Sequence, residues 1–240
     1  MPDDRQSDHL RGGRSTAPPD VAIGRLADAQ HGVVARWQLL ETGVSRRAVE
    51  GRVARGQLVV LHRGVYAVGH RRLRREGYWL AAVLAAGRRA VLSHRDAAAL
   101  HGIRPSNGSR IDVTTVTKRA AQRGIRIHRA TLLSTADVTA VDGVPVTTVA
   151  RTLVDLAGVV APDHLAKALS EAERLNLLDL RAIRAASARA AGRHGPGHKR
   201  LATALAELEA HGTTITNSST AGAITAPAAP SSATVPATWS

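Results

Sequence analysis

Two sets of residues in this chain could do chemistry. One is a crowd of arginines in a single stretch; the other is a scatter of histidine, serine and aspartate farther on. The stretch GVSRRAVEGRVARGQLVVLHRGVYAVG, residues 43–69, carries Arg46, Arg47, Arg52, Arg55 and Arg63. Guanidinium groups suit bidentate recognition of guanine edges and of phosphates. At about 100° per residue, Ala48, Val49 and Val53 share one arc beside Arg52, and Arg46, Arg47, Glu50, Gly51, Ala54 and Arg55 fall on the other. Small residues among arginines let a helix approach the floor of a major groove. Ser45 is a cap residue, with Val44 and Val49 at hydrophobic-staple spacing. Arg63 and Gly64 sit between two apolar runs, at the tip of an expected hairpin. From there Arg63 would reach a neighbouring minor groove or phosphate. A basic helix face is by default simply solvated. The conjunction of a cap, a basic small-residue face and an arginine-tipped hairpin in a strongly basic chain argues for more. The DNA-contacting set expected is therefore Ser45, Arg46, Arg47, Glu50, Arg52, Arg55 and Arg63.

The second set yields no catalytic assignment. SHRD, residues 93–96, holds Ser, His and Asp, but adjacent positions at one helix start cannot converge in a relay, so it reads as a cap plus surface positions. His94 and His101 share a helix face without a third ligand. His101, before Gly102, suits a last helical turn. His194 and His198 have metal-like spacing in a Gly/Pro segment with no supporting ligands. GPGHKR lacks the ending of a phosphate loop. IDVTTVTKR has Asp112 and Lys118 of a metal-dependent nuclease pattern, but Val116 stands where the second carboxylate belongs. No cofactor and no metal are expected.

These residues need elements to hold them. The chain has 240 residues and a formal net charge of +14, with aromatics at 2%, no Phe and no Cys. The charge points to a polyanionic partner, and the scarcity of rings favours duplex DNA over stacked single strands. Disulfides and thiolate metal sites are excluded. No secretory signal or spanning segment is read, so a cytoplasmic, non-membrane protein is expected. Residues 1–19 read as a disordered lead. Asp20 would cap a first helix whose buried side is Val21, Ile23, Leu26 and Ala27. A second short helix ends at Gly43 and a third runs from Ser45 to Gly56. A hairpin then turns at His62–Gly64, so residues 20–70 form a winged helix-turn-helix. Residues 71–190 read as a small mixed α/β domain, residues 191–211 as a hinge with a short helix, and residues 212–240 as a disordered Thr/Ala/Pro/Ser tail. The fold class is α+β and helix-rich.

The phrases GVSRRAVEGRVARGQLVVLHRGVYAV, AVLSHRDAAALHGI and VDGVPVTTVARTLVDLA resemble the AbiEi-like antitoxins of type IV toxin–antitoxin systems, in the form common in actinobacterial genomes. The resemblance covers roughly residues 20 to 190. It implies a winged helix-turn-helix that binds inverted repeats at its own promoter, and a second domain linked to antitoxicity. It also implies a nucleotidyltransferase-like toxin countered without a stable complex. The recognition role would fall on Arg46, Arg47, Glu50 and Arg55, and the wing role on Arg63. Many relatives continue into a nuclease-like domain of the very-short-patch-repair type where this chain has its uncharged tail. A truncation or frame change near residue 213 is the expectation there. Two alternatives stand beside the repressor: a DNA endonuclease targeted by its winged helix, and a module that binds an acidic protein.

Overall fold

The computed structural model describes residues 18–106, 108–120, 122–190 and 196–216. The expected lead up to residue 17 and the tail beyond residue 216 lie outside them. The first helix, α1 (Pro19–Ala29), starts one position earlier than expected. Pro19 opens it because a first-turn residue has no intrahelical N–H bond to lose. Asp20 is thus inside the first turn and not the cap. Val21 is exposed and not buried. It lies about 200° around the helix from Ile23, which turns inward.

A strand too short to show alternation, β1 (Val33–Ala35), follows and is wholly buried. Helix α2 (Arg36–Glu41) is held at its start by the Gln38 side chain, which accepts from the Ala35 N–H at 2.9 Å. Gly43 then takes φ 86°, a left-handed conformation that releases the chain toward the next helix. That helix, α3 (Arg46–Ala54), is capped as its sequence requires: Ser45 Oγ accepts from the Ala48 N–H at 3.2 Å. Val44 and Val49, the staple pair, are both buried in one cluster with Ile23, Leu39, Leu58 and Tyr66.

Strands β2 (Leu58–His62) and β3 (Val65–Val68) form the hairpin, with Leu61 as the extra residue between the Val60–Tyr66 and His62–Val65 pairs. The three strands lie in the order β1-β3-β2, all antiparallel. This is a winged helix-turn-helix followed by a mixed α/β region, as the sequence pattern implies.

Helix α4 (Arg75–Ala86) is apolar on nearly every side because it is packed on two. Ala81 meets Val33, Ala35 and Val65 of the three-stranded sheet. Trp79, Leu80, Ala82, Val83 and Ala86 meet the second sheet. That sheet contains β4 (Ala90–Leu92), β5 (Ile111–Thr115), β6 (Ile125–Arg129), β7 (Val138–Val141) and β8 (Val144–Thr147), in the order β6-β5-β4-β8-β7. β7 is absent from the sequence reading. β5 and β6 are parallel, so residues 116–124, including Lys118 and Arg119, form a return connection and not a tight turn.

Helices α5 (His94–Leu100), α6 (Val149–Ala157), α7 (Pro162–Arg174), α8 (Leu180–Ala190) and α9 (Pro196–Thr216) cover the other side around Leu153, Leu156, Leu165, Leu169 and Ile183. The α9 helix corrects two expectations. Residues 196–200 of the supposed hinge are helical, and the helix runs to Thr216, past the residue-212 boundary of the tail. Its first turn abuts the end of α6: a Cβ at Gly197 would lie 2.8 Å from the Gly158 Cα, so only glycine fits.

Candidate nucleic-acid interface

The exposed side of α3 carries Arg46, Arg47, Glu50 and Arg55, and Arg63 is exposed at the hairpin tip, where Gly64 takes φ 77°. Among the described residues, no hydrogen bond or ion pair engages the side chains of Arg46, Arg47, Glu50 or Arg63. Arg55 lies back along the helix. Its Nε donates to Gln57 Oε1 at 3.3 Å, and its Nη1 lies 3.3 Å from where a Cβ on Gly51 would sit.

Arg52 does not join this face. Its Nη2 and Nε donate to Asp20 Oδ1 at 2.7 and 3.0 Å, its Nη1 donates to the Ala48 carbonyl, and its side chain is 12% exposed. It ties α3 to α1, and the partner that holds it was invisible to helical periodicity. Ser45 sits at the exposed N-terminus of the face, its hydroxyl accepting the Ala48 N–H.

Two arginines outside the expected set support the wing. Arg36 Nε donates to the Tyr66 hydroxyl at 2.9 Å, and its backbone N–H donates to the Gly64 carbonyl at 2.8 Å. Arg71 Nη2 donates to the Val60 carbonyl at 2.9 Å, and its own carbonyl accepts from the Tyr78 hydroxyl at 2.7 Å. His62, at the base of the tip, has its pKa lowered by burial and is neutral at pH 7, so the cationic charge of the tip is that of Arg63.

The catalytic candidates of the second region meet in one place, and not on the surface. The strict alternation of β5 and β6 puts Val113, Ile125 and Ile127 against α4 and leaves Asp112, Thr114, Arg126 and His128 on the opposite side. His94 covers them, its ring stacked on His128 with centroids 3.6 Å apart. His128 Nε2 donates to Asp112 Oδ1 at 2.8 Å, with Arg126 at 3.7 Å, and Arg95 reaches Asp112 Oδ2 at 3.4 Å.

Burial alone would raise the Asp112 carboxyl, but the His128 hydrogen bond and the nearby charges hold it below its usual value. Burial, reinforced by His128, pushes His94 well down, so it is neutral. Ser93 is not a side-chain cap. Its hydroxyl accepts from Thr114 Oγ1 at 2.8 Å and lies 2.9 Å from His94 Nδ1. Asp96 is also buried, accepting from Trp79, Ser106 and the Asp112 N–H. The surface reading of SHRD is thus wrong: a strand-to-helix turn buries Ser93, His94 and Asp96 and leaves Arg95 half-buried.

Farther along, Asp137 accepts from Arg151 and Arg189, and Arg151 Nε also donates to Asp155. His101 Nε2 donates to the Thr147 carbonyl at 2.7 Å. His198 lies on α9 beside Ser187, and His194 falls outside the described residues. Among the described residues no group of three or more His, Cys, Asp or Glu side chains is placed to hold a metal ion. No described helix is long and apolar enough to cross a membrane.

Residues 22–69 match the family described as "Transcriptional regulator, AbiEi antitoxin", and residues 89–195 match "AbiEi antitoxin C-terminal domain". The first match spans the winged helix-turn-helix and the second spans the five-stranded sheet with α5 to α8. No curated protein matches the chain. With both of its folded regions matched in their natural order, the chain belongs to the AbiEi-like antitoxin family.

Proposed function

We propose that the protein is a sequence-specific binder of double-stranded DNA that represses its own promoter as the antitoxin of a type IV toxin–antitoxin system. The observation that carries this reading is the capped α3 helix, with Arg46, Arg47 and Glu50 exposed and unengaged, together with the exposed Arg63 at the hairpin tip. With Arg55, three arginines against one glutamate make the exposed side of α3 cationic, and Arg63 adds a fourth charge at the hairpin tip. A charge of that kind, on a rigid helix of groove-fitting width, both attracts a duplex and reads it. Arg46 and Arg47 would take guanine edges, and Glu50 would accept from a cytosine amino group. Arg55, Arg63 and the Ser45 end of the helix would contact phosphates and so fix the register.

The site of action would be the cytoplasm and the DNA its own upstream inverted repeats. A nucleotidyltransferase-like toxin would be opposed without a stable complex. No enzymatic step is included. The one nuclease-like carboxylate, Asp112, is 1% exposed and already engaged by His128, Arg126 and Arg95.

Footprinting of the region upstream of the gene with purified protein should show protection over paired repeats. Arg46→Ala or Arg47→Ala should remove it. No protected site anywhere in that region would refute the repressor reading, and magnesium-dependent cleavage of the same DNA would restore the endonuclease alternative.

A further inference from the structure

Helix α2 has only six residues, too few to hold its own direction, so whatever it packs against decides how it lies. It has two sides. Leu39 is fully buried with Ile23, Val44 and Val49, inside the helix-turn-helix. Trp37 packs away from that core, with Leu84 and Ala85 of α4, against the cluster of Val33, Ala35, Val65 and Ala81. Arg88, just past the end of α4, lies with its guanidinium 4.2 Å from the Trp37 ring centroid and also pairs with Glu41 at the last turn of α2. One side chain of the second region thus touches both ends of this helix.

The connection to α3 is short and tied down. The Val44 N–H donates to the Leu39 carbonyl at 2.9 Å, and the Thr42 hydroxyl donates to the same carbonyl at 3.0 Å. Any tilt of α2 is therefore carried into α3. The Trp37 Nε1 is buried without a hydrogen-bond partner among the described residues, so the ring is kept for the surface it offers and not for its N–H.

We propose that Trp37 and Arg88 are positioning residues: through them the second region sets the angle at which α3 meets the duplex. The proposal rests on the DNA-binding reading above. It explains why an indole on the recognition unit faces the neighbouring region, and why that region supplies an exposed arginine to cover it. The pair contributes alignment and makes no DNA contact.

The test measures binding of a duplex from the protected upstream region, and of a scrambled duplex, over a salt series, for the full chain. Trp37→Leu keeps every charge. It should weaken the upstream duplex by about 3- to 30-fold, the range of mutations that act on coupling, with the scrambled duplex and the salt slope unchanged. Trp37→Phe should recover most of the loss. Arg88→Ala, on an exposed side chain, should act in the same direction without altering the slope, and it decides the matter should Trp37→Leu not fold.

A lowered Tm with upstream binding intact, measured well below that Tm, would overturn the proposal by showing packing alone. A salt slope flattened by about one in Arg88→Ala would overturn it by showing a direct phosphate contact. Arg46→Ala separates the two levels. Upstream binding untouched by Arg46→Ala refutes the DNA-binding reading and this proposal with it; binding weakened by Arg46→Ala but not by Trp37→Leu or Arg88→Ala refutes positioning alone.

Discussion

Arginine does opposite things in two parts of this molecule. On α3, Arg46 and Arg47 are exposed and unengaged by any described residue. In the second region, Arg95, Arg126, Arg151 and Arg189 are each paired with Asp112, Asp137 or Asp155, all three of them buried or nearly so. A guanidinium that already has its carboxylate has little left for a partner molecule, and removing one member of such a pair strands the other in a low dielectric. An unpaired surface guanidinium costs little to keep hydrated and gains from any phosphate or base edge that arrives. Counting arginines would rank the two regions alike; following each to its partner separates the surface that can bind from the interior that holds the fold.

The largest effect should come from breaking the buried side of this contrast. Asp137 is 1% exposed and serves two arginines, so Asp137→Ala should destabilise the fold by about 3–5 kcal/mol in urea unfolding. A loss below about 1 kcal/mol would mean the network is not structural. Next comes the exposed side. Arg46→Ala should change stability by no more than about 0.5 kcal/mol, yet weaken binding to a recognised duplex by about 1–3 kcal/mol.

The stacked histidines sharpen the comparison through pH. Burial lowers the pKa of His94, and those of His62 and His101 move in the same direction. With folded values below the unfolded one, the unfolded chain takes up more protons. Their stability contribution is thus complete above about pH 6.5 and lost as pH falls from there toward the folded values. His94→Gln should flatten the pH dependence of Tm over that interval, and an unchanged slope would show that the buried ring is not what responds. The smallest effect is expected at the border of the two classes: Ser45→Ala, which leaves the Ala48 N–H without its side-chain acceptor, should cost about 1 kcal/mol of stability.

What the sequence made legible follows the range of the interactions concerned. The α3 cap, its staple and the hairpin tip are set by residues within five positions of one another, and all were readable from spacing. The β1 and β7 strands were not, because three or four residues show no period of their own; β1 pairs with the distant β3, while β7 pairs with the adjacent β8. The fate of Arg52 depended on Asp20, 32 residues away. The polar cluster depended on sheet register. Ser93, Asp112, Thr114 and His128 are unremarkable apart, and only the parallel pairing of β5 with β6 aligns Asp112 with Arg126 and Thr114 with His128 beneath α5. Lys118 and Arg119 looked like a turn because parallel and antiparallel strands have the same alternation.

The central claim is that the uncovered face of α3 reads duplex sequence. It is tested most directly by titrating wild type, Arg46→Ala and Arg47→Ala against the upstream duplex and a scrambled duplex of equal length at matched salt. The account predicts that each substitution costs about 1–3 kcal/mol on the upstream duplex and markedly less on the scrambled one. Equal losses on both duplexes, or none on either, would contradict it.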